Sequence, residues 1–248
     1  MRRDLHLVPP DSDAASVFPS LGRNGILSRV PAAELRLVAQ QGEEYGATLR
    51  EVFFDEGDHL DYVYFPLTGM ASLVTILDDG GMVEAMAVGR EGFVGLTVLH
   101  EVNLSGYRGI CQIEGDFFRL STTAFRSIID TAPELRRHLL RYSEFCQQTI
   151  AQWAACNSVH LIEQRCARWI MVTADSIGKS SFGLTQEFLS QMLSVRRPGV
   201  TVAIGGLQRR GLISHHYGKV TIIDELGLRS VACECYQKVR DRAASLLV

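Results

Sequence analysis

The chain has 248 residues, 46% of them hydrophobic and 21% charged, with a formal net charge of -3. That composition buries a sizeable core, and the length suits two modest domains better than one. No stretch approaches the roughly eighteen apolar residues of a membrane span and the N-terminus carries no apolar run long enough for a signal peptide, so a cytoplasmic location is expected.

Residues 1–20 are rich in Pro, Ser and Asp and lack periodicity, which predicts a flexible arm. From Asn24 to Gln41 a short helical segment is expected, with Pro31 at a helix start and Leu35, Leu37 and Val38 as core candidates. From Ala47 to Leu120 the text changes to short strands separated by Gly and Asp turns, as in REVFFDEGD, MASLVTILDDGG and YRGICQIEGDFFRLS. An antiparallel β domain follows from that pattern. Asp79-Gly80 and Glu114-Gly115 read as hairpin turns.

From Ala132 to His160 the spacing is the most regular in the chain. Leu135, Leu139, Tyr142, Cys146, Thr149, Trp153, Cys156 and His160 alternate four and three residues apart, a heptad seam of nearly four repeats. So long a seam needs a partner, either a second copy of the helix or the rest of the chain. A further helix is expected from about Leu161 to Ile177, and Gly178-Lys179-Ser180-Ser181 leads out of it.

Leu184 to Leu212 reads as a helix-turn-helix. Thr185 caps a first helix whose apolar residues Phe188, Leu189, Met192 and Leu193 recur at helical spacing, with small Ser190 where a second helix could approach. The second helix starts at about Arg196 or Arg197, carries Pro198 in its first turn, buries Val200, Ala203, Ile204 and Leu207, and ends at Gly211. After Gly211 the period changes to two, and residues 212–214 and 220–223 flank a turn at His215 to Lys219. This is a β-hairpin, or wing. Between Leu184 and Lys219 stand five Lys or Arg against one Glu, so positive charge is concentrated here in a chain that is negative overall. Arginine at a helix start can make paired hydrogen bonds to a guanine edge, and the helix N-terminus favours phosphate. A last helix, Leu228 to Leu247, would close this domain.

The stretch from Leu184 to Lys219 resembles the winged helix-turn-helix of the Crp/Fnr family of bacterial transcription regulators, and the preceding strands resemble that family's cyclic-nucleotide-binding-like β-roll. The resemblance implies an α+β fold: an arm at 1–20, a β-roll sensor at 21–131, a dimerisation helix at 132–160 and a winged helix-turn-helix at 161–248. It further implies a homodimer on double-stranded DNA, with RNA polymerase as a partner. An enzyme is the alternative of a different class, and the sequence holds no Gly-x-Ser-x-Gly elbow, P-loop, His-Glu-x-x-His or paired-carboxylate motif, so no enzymatic activity is expected. Arg197 matches the family's base-reading arginine. Arg196, Thr201 and Val202 lie on or near the groove-facing side, and His216 and Lys219 would face phosphates. The seam from Leu135 through Cys156 would join two protomers. Two departures stand out. Ser194 replaces a common turn glycine, and Gly205-Gly206 falls inside the second helix at a cost of about 1 kcal/mol each relative to alanine. Either a neighbouring helix approaches there, or this helix is loose until DNA binds.

The family's cyclic-nucleotide loop, Gly-Glu-x-x-Leu, corresponds to Gly95-Leu96-Thr97-Val98-Leu99. Leu96 cannot accept a hydrogen bond from a ribose hydroxyl, and the expected arginine position falls on Gly106, two residues before Arg108. Gly95, Leu96 and Arg108 therefore mark a candidate effector pocket whose usual cyclic-nucleotide contacts are not matched. No cofactor is expected, although the single histidines His59, His100, His138 and His160 leave haem open. No metal site is expected either. The six cysteines are scattered, which suits reduced buried thiols, and on a helix Cys233 and Cys235 would point about 200° apart. Two other readings share the fold: a regulator controlled by cAMP or another ligand through a non-standard pocket, and a winged-helix protein-interaction module.

Overall fold

The computed structural model describes residues 18–102 and 104–247, so the arm expected at 1–20 lies almost wholly outside the described residues. Two 3-10 turns, Leu21–Arg23 and Leu27–Arg29, precede helix α1, Ala32–Gln41. Between those turns sits Asn24, fully buried, whose amide donates to the Pro66 and Gly92 carbonyls at 3.1 and 2.9 Å while its Oδ1 accepts from the Ile26 and Leu27 N–H groups. Each of these groups would be costly to bury unpaired, so Asn24 fixes the segment to the β domain.

Seven strands build that domain: β1 Gly42–Ala47, β2 Val52–Phe54, β3 Tyr62–Pro66, β4 Met70–Ile76, β5 Met82–Val88, β6 Arg108–Ile113 and β7 Gly115–Ser121. All pair antiparallel, in two sheets of order β1-β7-β3 and β2-β6-β4-β5. Val63, Phe65, Ala71, Cys111, Phe117 and Leu120 from both sheets share one core. The turn at Asp79-Gly80 joins β4 to β5 as a hairpin, with Gly80 at φ +81°. Glu114-Gly115 does not. There the chain steps from one sheet to the other, because β6 pairs with β2 and β4 whereas β7 pairs with β1 and β3. A Cβ on Gly115 would lie 2.6 Å from the Gly69 nitrogen, so this glycine serves a close backbone crossing rather than a hairpin turn.

Two short helices, α2 Leu96–Leu99 and α3 Thr122–Ile129, complete the domain, the second capped by the Ser121 hydroxyl accepting from the Ala124 N–H. Helix α4, Pro133–Val159, then runs for 27 residues, about 40 Å. The seam expected to join two protomers is buried within the single chain: Leu135, Leu139, Tyr142, Cys146, Thr149, Trp153 and Cys156 are all 9% exposed or less. They pack on the β domain and on the C-terminal helix. Heptad spacing marked a buried face correctly, but it carries no label for what buries it.

Helix α5, Ile162–Ile177, ends at Gly178 in the left-handed region, with φ +66°. Strand β8, Ser181–Gly183, leads to α6, Gln186–Met192, and α7, Arg197–Arg209. Strands β9, Ile213–His216, and β10, Lys219–Ile222, form the wing, and β8 extends its sheet in the order β8-β10-β9. In place of one last helix there are two, α8 Glu225–Val231 and α9 Cys235–Leu246, broken at residues 232–234. Nor does α9 simply close the DNA-binding domain. It lies along α4, where Arg242 donates to the Gln148 carbonyl at 2.9 Å and to Gln152 Oε1 at 3.0 Å. Among the described residues no helix is long and apolar enough to cross a membrane.

Candidate nucleic-acid interface

Local chemistry sets both helices of the pair. The Thr185 hydroxyl accepts from the Phe188 N–H at 3.1 Å and starts α6, while Leu189, Met192 and Leu193 face inward, each 2% exposed or less. Ser194 makes the turn at φ +50°, a conformation that glycine adopts without a Cβ penalty. Arg196 is the N-cap of α7, and Pro198 sits in its first turn, where no N–H is needed. Val200, Ala203, Ile204 and Leu207 form the buried side of α7 as expected.

The opposite side is open to solvent. Arg196, Arg197, Thr201 and Val202 are all exposed, Val202 to 70%. Thr201 Oγ1 donates to Gln186 Oε1 at 2.7 Å, and Arg197 Nε lies 3.9 Å from Glu187 Oε2. Both partners belong to the first helix and hold these side chains over its N-terminal end. At that distance and exposure the ion pair is weak, and Arg197 is free to turn toward a ligand.

Helix α7 runs unbroken through Gly205-Gly206. A Cβ on Gly206 would stand 3.2 Å from Glu163 Oε2, and one on Gly199 would stand 3.0 Å from Ile162 Cδ1. Both contacts are with α5, which lies against that face, Gly199 meeting a methyl group of Ile162 and Gly206 the flexible end of Glu163. Gly205 instead faces the flexible end of Arg209.

At the wing, His216 pairs with Lys219 across a two-residue turn whose residues Tyr217 and Gly218 have φ +49° and +70°. Positive φ at both central positions is the turn that matches strand twist. His216, Tyr217 and Lys219 are exposed, whereas His215 turns inward and bonds the Leu184 carbonyl at 2.8 Å. Tyr217, fully exposed at the tip, is a contact candidate that sequence reading passed over because it served only as a turn residue.

The candidate effector residues do not converge on one cavity. Gly95 adopts φ +149°, where a Cβ would collide with Phe93 and Val63 at 2.6 Å, and Leu96 packs on the core. Arg108 is ion-paired with Asp55, so its charge is already met within the chain. A small cavity beside α2 is lined by His59, Thr97, Val98, Val102, Thr122 and Arg126, and includes none of the three. Of the other histidines, His100 Nε2 lies 2.9 Å from Ser143 Oγ and His138 is buried beside Arg137.

The β domain meets the helix-turn-helix directly. Trp169 Nε1 on α5 donates to Glu84 Oε1 on β5 at 3.0 Å, Ser72 Oγ donates to Glu84 Oε2 at 2.7 Å, and Phe188 packs edge-on against Trp169. Arg90 Nε donates to the Ser176 carbonyl at 3.2 Å. Burial pushes the Glu84 carboxyl above its ordinary value of 4.5, against the opposing effect of these hydrogen bonds and of Arg168. A cavity of about 110 Å³ lies at this junction, with Glu84, Arg90, Trp153, Arg168 and Asp175 among its walls.

Residues 164–231 match the family model of the Crp-like helix-turn-helix domain. No curated protein sequence matches the chain. Among solved structures, a Crp-family transcriptional regulator from Thermus thermophilus aligns over 77% of this chain and 96% of its own, at 19% identity and a TM-score of 0.64. FixK2 from Bradyrhizobium japonicum aligns over 77% and 98%, at 13% identity and a TM-score of 0.67. The c-di-GMP-responsive global regulator CLP of Xanthomonas campestris aligns over 77% and 98%, at 15% and 0.62. The chain therefore has the Crp/Fnr transcription-regulator fold, and its C-terminal segment is a Crp-like helix-turn-helix domain.

Proposed function

We propose that this protein is a sequence-specific DNA-binding transcription regulator that acts as a homodimer on a two-fold-symmetric operator. The observation that carries the reading is the open face of α7: Arg196, Arg197, Thr201 and Val202 stand exposed beside the wing residues His216 and Lys219. Arg197 reads a base edge in the major groove, and Lys219 and His216 neutralise or bond phosphates. The half-sites lie about one helical turn, roughly 34 Å, apart.

The dimer contact is assigned to the side of α4 that the chain leaves uncovered. There Leu140, Glu144, Gln147, Ala151, Ala154 and Ser158 are exposed and alternate four and three residues apart. The small residues at 151, 154 and 158 admit a close helix approach, and Leu140 is 48% exposed. This seam replaces the buried one as the surface offered to a second copy. Control from the β domain passes through the Glu84–Trp169 contact, and a regulator on its operator is placed to touch RNA polymerase.

Salt-titrated affinity on duplex DNA tests the reading. Several neutralised phosphates give a steep fall of log K with log salt, about -0.9 per phosphate. A flat, weak response would favour the protein-interaction module instead.

A further inference from the structure

Three of the six cysteines are isolated and buried, and burial pushes the thiols of Cys111, Cys146 and Cys166 up to about 12. The other three lie together. Cys156, in the last turn of α4, and His160, just beyond it, meet Cys233 and Cys235 at the break between α8 and α9. One ligand-capable atom from each lies within 4.8 Å of all the others. Cys156 Sγ and Cys233 Sγ are 3.4 Å apart, and Cys235 Sγ is 3.6 Å from His160 Nδ1. A tetrahedral zinc with Zn–S near 2.3 Å and Zn–N near 2.0 Å has ligand–ligand edges of roughly 3.5 to 3.8 Å.

The expectation that Cys233 and Cys235 diverge fails because Cys233 precedes α9. Ala232 ends α8 in an extended conformation and Glu234 turns the chain, so both thiols face the same point. All three cysteines are 4% exposed or less.

The surroundings are also those of a metal site. His160 Nε2 lies 3.1 Å from the Glu234 carboxylate, an arrangement that favours the tautomer with its proton on Nε2 and a lone pair on Nδ1 toward the thiols. A carboxylate behind a histidine ligand is the usual support of such sites. Gln152 Nε2 donates to Cys235 Sγ at 3.1 Å. Three thiolates around a divalent ion leave one net negative charge, and Arg165 and Arg168 supply nearby cations whose Nε atoms are buried without a hydrogen-bond partner.

We propose that Cys156, His160, Cys233 and Cys235 form a Cys3His site for a zinc ion. Each thiol loses its proton to solvent as the metal binds. The site joins the end of α4 to the start of α9, across 77 residues of sequence, and sits at the bend where the long helix gives way to the helix-turn-helix domain. A bound metal holds that bend in one arrangement. Its effect on operator affinity rests on the function proposed above, whereas metal binding itself does not.

The test is the zinc content of the full chain purified under reducing conditions without chelator, with cobalt titration of the metal-stripped protein as a second measurement. The site predicts about one zinc per chain and, with cobalt, tetrahedral bands plus thiolate-to-metal charge transfer. Cys235→Ser and Cys156→Ser weaken the charge-transfer band at equal cobalt, since each leaves two of the three thiolates and a looser site, and Cys111→Ser retains it in full. Glu234→Gln, which keeps every ligand, lowers metal affinity by roughly 10- to 100-fold in chelator competition. Zinc far below one per chain together with no cobalt charge-transfer band overturns the proposal. So does a Cys156–Cys233 disulfide that persists under reductant and excludes metal. DNA affinity is measured on the same samples, so loss of DNA binding with full metal content would count against the regulator reading and leave the metal site standing.

Discussion

Arg197 and Lys219 differ in what their loss should do. Arg197 stands exposed at the start of α7, loosely tethered to Glu187, and Arg197→Ala is expected to weaken operator binding by about 1–3 kcal/mol and to relax one position per half-site. Lys219 lies on the wing, and Lys219→Ala should weaken all sequences alike while reducing the salt slope by about 1. Competition binding on a panel of single-base variants separates the two. Ser194, at φ +50°, holds a conformation that costs a residue with a Cβ roughly 1–2 kcal/mol, so Ser194→Gly should raise the unfolding free energy, offset in part by the greater chain entropy of glycine. Glu84 gives a pH test. Its folded carboxyl is raised above 4.5, so its contribution to stability is full below that value and is lost as pH rises through the folded value. Glu84→Gln, which can still accept from Trp169 and donate to Ser72, should remove that decline. Denaturant unfolding at acid and neutral pH should show the variant gaining on the wild type as pH rises, and parallel curves would contradict the assignment.

The elements with local signals were legible in the sequence. Thr185, Pro198 and the apolar spacing define α6 and α7 almost to the residue, because caps and helical period act within a few positions. The wing was legible for the same reason. Where the partner is distant, the sequence was silent. The Leu135 to Cys156 face is buried against the chain itself, and the step at Glu114-Gly115 is set by sheet membership that no turn residue encodes. The Cys156–Cys233 meeting depends on α9 folding back along α4. The one local clue to it was Cys-x3-His at a helix end with Cys-x-Cys near a second helix start, and it is unreadable without the break at 232–234. The corrected α4 surface makes its own prediction. Ala154→Arg or Ala151→Glu on the uncovered side should shift the protein from dimer to monomer in light scattering, and an unchanged dimer would place the contact elsewhere. Cys146→Ser, on the buried side, should leave the oligomeric state unchanged while lowering stability by about 1 kcal/mol, the cost of a more polar buried group being offset in part by the neighbouring Tyr142 hydroxyl.

At the scale of the molecule, the contacts that tie the helix-turn-helix to the rest of the chain include Glu84 with Trp169, Arg90 with Ser176, and α9 with α4. An effector, or a metal at the bend, acts only by favouring one arrangement of these contacts over another, and so changes the fraction of dimers whose α7 helices match the groove. Selection of DNA sites from a random pool by the purified protein tests the central claim most directly. The account predicts enrichment of a two-fold-symmetric site with half-site centres about 10 base pairs apart, bound with a steep salt dependence. A pool that stays random, with weak and salt-insensitive binding in the presence and absence of cyclic nucleotides, would contradict it.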